Sequence, residues 1–344
     1  MQRLRIVWLI LALVTIAQPR SAWAFCQTHT CEFSGTQMCA WDAAAGCWTG
    51  GAVAHWGSSC IDYAVQLDGS RDEKISASTL ASVLEDGFRI WSNVSCGANG
   101  LTPELTASYR GLTSCNRVEF NCGALQDNDN VVMFRDNRSD LSATTIALST
   151  IIANTNTGEI LDVDVEINSQ DFDFYVDAAN ARPQAHDLRL VLNHELGHFL
   201  GLSHTLEPGA LMRAAYDGTD RFPAPDDIAG MCKSLTSSRT DPACSVEPSS
   251  GECVGIDATC PPSVQPIEES GCSLAAPGRV GPEPTGGRFS LGLLLGTGLL
   301  LFARGGSTRR RPRNLQWPNR MHSPPRAPGI SCRRRSASAS TSSR

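Results

Sequence analysis

The chain has 344 residues, of which 41% are hydrophobic and 19% charged, with fourteen cysteines and a net charge of -6. This is globular composition with room for one or two domains. Residues 1–24 and 304–344 hold fourteen of the 29 basic residues and no acid, so the body between them carries 15 basic against 35 acidic groups, a balance that excludes nucleic acid as a partner.

Residues 1–24 begin with Arg3 and Arg5, continue as an apolar run from Ile6 to Ala17 and end Ala22-Trp23-Ala24. That is the layout of a secretory signal peptide, and the run is short for a permanent membrane span. Phe25 before Cys26 lacks the small residue that lipidation needs. An exported chain meets an oxidising compartment, so its cysteines are expected as disulfides. Cys26, Cys31, Cys39, Cys47, Cys60, Cys96, Cys115, Cys122, Cys232, Cys244, Cys253 and Cys260 make an even set, and no CxxC pair points to zinc. Their partners cannot be read from spacing.

Residues 25–57, rich in Cys, Gly, Ala and Trp, read as a disulfide-pinned amino-terminal segment. "CIDYAVQLDGS" (60–70) alternates as a strand does. In "SASTLASVLEDGFRIWSNV" (76–94) Leu80, Val83, Leu84, Phe88 and Trp91 recur at helical spacing and predict an amphipathic helix. Further strands are expected at 131–134, 144–152 and 159–168. "DLRLVLNHELGHFLG" (187–201) predicts a helix with Asp187 as N-cap, Leu188, Leu192, Leu196 and Phe199 facing the core and the histidines on the opposite face. A short helix at 226–235 closes an α+β domain. Residues 237–288 read as a Cys/Pro/Ser-rich stalk.

Three of the seven histidines fall in "HELGHFLGLSH" (194–204). His194 and His198, four apart on a helix, share one face and can bind one zinc. Glu195 beside them is the candidate general base. His204 would lie about 15 Å along an unbroken helix from His194, but Gly201 can end the helix in a left-handed conformation and turn the chain back.

With Met212 following, the stretch resembles the metzincin metallopeptidases, whose signature is HExxHxxGxxH and a Met-turn. The short interval "HTLEPGALM", Tyr216 four past the methionine, and the outlying "VLEDGFRIWSNV", "ILDVDVEIN" and "PAPDDIAGM" make it most similar to the matrixins, over about residues 58–236. The resemblance implies a twisted mixed sheet, an active-site helix and a short carboxy-terminal helix. It also implies catalytic zinc on His194, His198 and His204, Glu195 as catalyst, Met212 beneath the metal, Tyr216 lining the S1′ pocket, and protein or peptide substrates. Ala214 stands where matrixins usually carry a proline, and the PRCGxPD cysteine switch is absent.

The acidic "DNDN" (127–130) and "DFDFYVD" (171–177) are candidate calcium loops. The apolar run 289–303, bounded by Arg288 and Arg304 and followed by "RRRPR", is too short for a full helical span. With Cys272 ahead of it, it resembles MYXO-CTERM surface-sorting tails, which implies passage through the membrane to the cell surface; the alternative reading is a plain membrane anchor. Residues 304–344 read as an Arg-rich disordered tail. Two rival readings are a non-catalytic zinc-bearing adhesion or binding module and a structural surface protein cross-linked by metal. Intact Glu195 argues against the first, and the lack of an obvious fourth ligand against the second.

Overall fold

The computed structural model describes residues 25–274 except 32–37, 98, 126, 138–140, 217–220, 235–243, 245–246, 258 and 271–272. The signal peptide, Cys272, the apolar run and the arginine-rich end lie outside the described residues. In chain order come β1 (Cys26–Gln27), β2 (Ala40–Asp42), β3 (Cys47–Thr49), β4 (His55–Trp56), β5 (Cys60–Gln66), α1 (Ala77–Ser92), β6 (Thr106–Thr113), β7 (Val131–Phe134), β8 (Ala147–Asn154) and β9 (Glu159–Ile167). They continue as β10 (Phe174–Tyr175), β11 (His186–Asp187), α2 (Leu188–Phe199), β12 (Leu202–Ser203), β13 (Ala215–Tyr216), α3 (Pro225–Ser234), β14 (Val264–Ser270) and β15 (Ser273–Leu274).

The main sheet runs β14-β8-β9-β7-β5-β6, with β4 also beside β9. Its centre is parallel, β8 is antiparallel to β9, and β14 is antiparallel to β8. This is the mixed sheet of the expected α+β fold. Val163, Val165 and Ile167 of β9 enter the hydrophobic core, and the alternate positions Asp162, Asp164 and Glu166 are buried too. Asp164 accepts the N–H groups of Glu119 and Val131 at 3.1 and 2.9 Å, and Glu166 pairs with Arg135 at 3.0 Å. The polar face of β9 is therefore covered.

Ser76 caps α1 by accepting from the Thr79 N–H, and the stripe from Leu80 to Trp91 is buried. Each such side chain contributes about 1.5–3 kcal/mol. Where α1 crosses α2, a Cβ on Gly87 would stand 2.6 Å from Leu196 Cδ1, so glycine allows the close approach. Two tryptophans serve α2 directly. Trp91 donates its indole N–H to the Asn193 carbonyl at 3.0 Å, and Trp56 donates to the Phe199 carbonyl at 2.7 Å.

All twelve cysteines from Cys26 to Cys260 are paired: Cys26–Cys47, Cys31–Cys39, Cys60–Cys244, Cys96–Cys232, Cys115–Cys253 and Cys122–Cys260. The last four span 184, 136, 138 and 138 residues. In the chain-entropy account, loops of that size each stabilise by roughly 5 kcal/mol.

The described part of the expected stalk is no stalk. Three of these disulfides bind it to the domain, Arg110 donates to the Glu247 carbonyl at 2.9 Å, and the N–H groups of Val254 and Gly255 reach the Glu119 carboxylate. The segment then enters the sheet as β14. Its Pro, Ser and Cys content conceals a strand at the sheet edge, the position where proline is tolerated. Among the described residues no helix is long and apolar enough to cross a membrane.

Candidate active site

α2 starts where Asp187 accepts the Arg189 N–H at 3.1 Å, as expected of its N-cap. Every residue of the helix except Arg189 is buried. The histidine face was expected opposite the core and not inside it. The Leu211 carbonyl, in the turn before Met212, and the Leu202 carbonyl, after the helix, close against His194 and His198.

Gly201 ends this stretch with φ +90, the left-handed region that suits glycine. Its N–H donates to the His198 carbonyl at 2.8 Å, and a Cβ there would stand 3.0 Å from the Ala54 carbonyl oxygen. The chain reverses into β12, which pairs antiparallel with β1 and brings His204 back to the helix. The Nε2 atoms of His194, His198 and His204 then lie 3.1, 3.1 and 3.2 Å from one another.

That triangle fits a metal. Ligands 2.0–2.1 Å from a tetrahedral zinc are separated by about 3.3–3.4 Å, so the three nitrogens already stand almost at coordination spacing. His194 Nδ1 bonds the Leu211 carbonyl at 2.6 Å and His198 Nδ1 the Leu202 carbonyl at 2.8 Å. A carbonyl can only accept, so each Nδ1 carries the hydrogen and each Nε2 offers its lone pair. Burial lowers the His194 pKa to about 4. Burial, with His194 alongside, lowers that of His204 to about 3. His198 is pushed well below its ordinary value by burial and by its two histidine neighbours. All three are therefore neutral, the form that binds metal.

Glu195 is fully buried, and its Oε2 accepts the Ser149 hydroxyl at 2.8 Å. This bond ties β8 to α2. Met212 is 2% exposed, with its thioether against Gly197 of the helix. The turn that carries it is held by Asp227, whose carboxylate accepts the N–H groups of Met212, Leu211 and Ala224 at 3.0, 2.7 and 2.7 Å. Tyr216 lies on β13, just past this turn. Sequence reasoning singled out neither Ser149, Gly197 nor Asp227. Asp227 stood inside the quoted "PAPDDIAGM", but nothing local revealed the backbone it would hold.

Several side chains of the two acidic loops bond within the protein. Asn128 bonds Asn121 and Ala124, Asp129 pairs with Arg110 at 3.1 Å, and Asn130 bonds Asp62. In the second loop Asp171 accepts from Asn168 at 3.1 Å. Among the described residues the one other group with metal-ligand spacing is Cys115, Glu119 and Cys253, and its two cysteines are joined in a disulfide.

The family model described as matrixin matches residues 55–234, just over half of the chain. Among curated proteins none matches.

Proposed function

Since the chain belongs to the matrixin family, we propose that it is an exported zinc-dependent endopeptidase that hydrolyses peptide bonds in proteins. The observation that carries this reading is the triangle of histidine Nε2 atoms, 3.1–3.2 Å on a side, with Glu195 between two of its members in the helix.

His194, His198 and His204 would hold the metal. Zinc bound there supplies the Lewis acidity that activates a water and polarises the peptide carbonyl. Glu195 accepts the proton that the attacking water gives up and delivers it to the departing amine. The Ser149 hydroxyl orients the Glu195 carboxylate for this transfer. A zinc-bearing adhesion module has no use for a buried carboxylate held in that position.

Export rests on residues 1–24 and agrees with the six disulfides. Sorting to the cell surface rests on Cys272, residues 289–303 and the following arginines. Digestion of a peptide library tests the enzymatic reading: cleavage should stop with a chelator and return with zinc. A zinc-replete protein that cuts no peptide in the library would overturn it.

A further inference from the structure

β8 is the sheet strand that meets the catalytic residues, through the Ser149–Glu195 hydrogen bond at 2.8 Å. A peptidase acting there must hold an extended peptide beside Glu195, and an open sheet edge holds one by pairing with it as an added strand. The free side of β8 would be that edge. It is already taken: β14 runs antiparallel along it, from Val264 opposite Asn154 to Ser270 opposite Ser149. After two more residues the chain pairs in parallel with β13, Ser273 opposite Ala215 and Leu274 opposite Tyr216. β13 lies just beyond Met212, on the segment whose Leu211 carbonyl orients His194. The chain is thus paired at 264–270 with the wall that reaches Glu195 and at 273–274 with the wall that reaches His194.

We propose that residues 264–270 and 273–274 occupy the protein's own peptide groove and act as an internal competitor that substrates must displace. The proposal rests on the peptidase reading above and adds its regulation. Ile267 anchors the segment, 3% exposed and packed in the core. The Cys122–Cys260 disulfide leaves only residues 261–263 as the tether to β14. A competitor on so short a link acts at an effective concentration on the order of millimolar. Cys244, Cys253 and Cys260 all precede the segment, so its displacement leaves all six disulfides intact.

The test uses the full chain with a recognition site for an unrelated sequence-specific protease placed over 261–263, where Pro261 and Pro262 are exposed. The zinc-loaded protein is assayed intact, then again after cutting and removal of the released fragment. The expected result is a rise in kcat/KM for an unstructured peptide on the order of tenfold or more. A labelled peptide of residues 264–274 carrying Cys272→Ser should also bind the cut protein and not the intact one. Hydrolysis at the same rate before and after cutting would overturn the proposal and leave the peptidase reading standing. Peptide binding without hydrolysis would support occupancy and sink the peptidase reading. A cut protein that neither binds the peptide nor hydrolyses substrate would overturn both.

Discussion

Gly197 leaves the space that the Met212 thioether fills: a Cβ at 197 would stand 2.1 Å from Met212 Sδ and 3.1 Å from the Trp91 indole. Neither neighbour can yield easily, since Met212 is buried and the Trp91 indole is tied to Asn193. Two effects of Gly197→Ala oppose each other. Helix propensity favours alanine by about 1 kcal/mol, while overpacking a filled core costs about 1–3 kcal/mol. Overpacking should win, so thermal unfolding should occur at a lower temperature than in the parent. A higher melting temperature would show that the space beside Gly197 is not filled as described.

Asp227 couples α3 to the histidine triad without touching it. Its carboxylate accepts three N–H groups, two of them in the turn whose Leu211 carbonyl orients His194. Asp227→Ala leaves the Leu211 and Met212 donors buried without their partner, at about 1–3 kcal/mol each. It should also weaken zinc binding about 10–100-fold, as loss of a group supporting a metal ligand does. Competition against a chromogenic chelator measures this, and unchanged zinc affinity in a folded variant would refute the coupling.

Stability should fall as pH rises above the ordinary carboxylate range, and Asp162 should be a principal cause. It is 1% exposed and its Oδ2 has no hydrogen-bond partner. Burial, then Asp164, Asp62, Asp129 and Glu119, raise its pKa well above the usual value, while Arg110 is engaged with Asp129 and Asp62 at 3.1 and 3.6 Å. A carboxyl raised in the folded state keeps its proton after the unfolded chain has lost it. Its penalty is therefore absent below about pH 4 and grows as pH climbs toward the folded value. Asp162→Asn should flatten this loss and stabilise the protein at neutral pH by about 1–3 kcal/mol. Urea unfolding from pH 4 to 8 reads both effects, and a slope equal to that of the parent would count against the assignment.

What the sequence made legible was local. His194, His198, Gly201 and His204 lie within eleven residues, so one helical turn and one left-handed glycine are enough to assemble the triad. The stripe of α1 was readable for the same reason. Ser149, however, reaches Glu195 across 46 residues of sequence. β14 finds β8 more than a hundred residues away, and neither spacing nor composition encodes that pairing. The cysteine count announced disulfides while leaving the partners open, because connectivity depends on the assembled fold. The burial of Asp162 and Asp164 was hidden too: alternation along β9 separated two faces, and both are covered.

The central claim is that Glu195 moves the proton while three histidines hold zinc, and Glu195→Ala separates the two. Zinc content by elemental analysis should remain at one ion per chain, since no histidine is altered. Hydrolysis of a peptide that the parent cleaves should fall at least about a hundredfold, the contribution typical of a lost general base. Cleavage at the parent rate by the zinc-loaded variant would contradict the account.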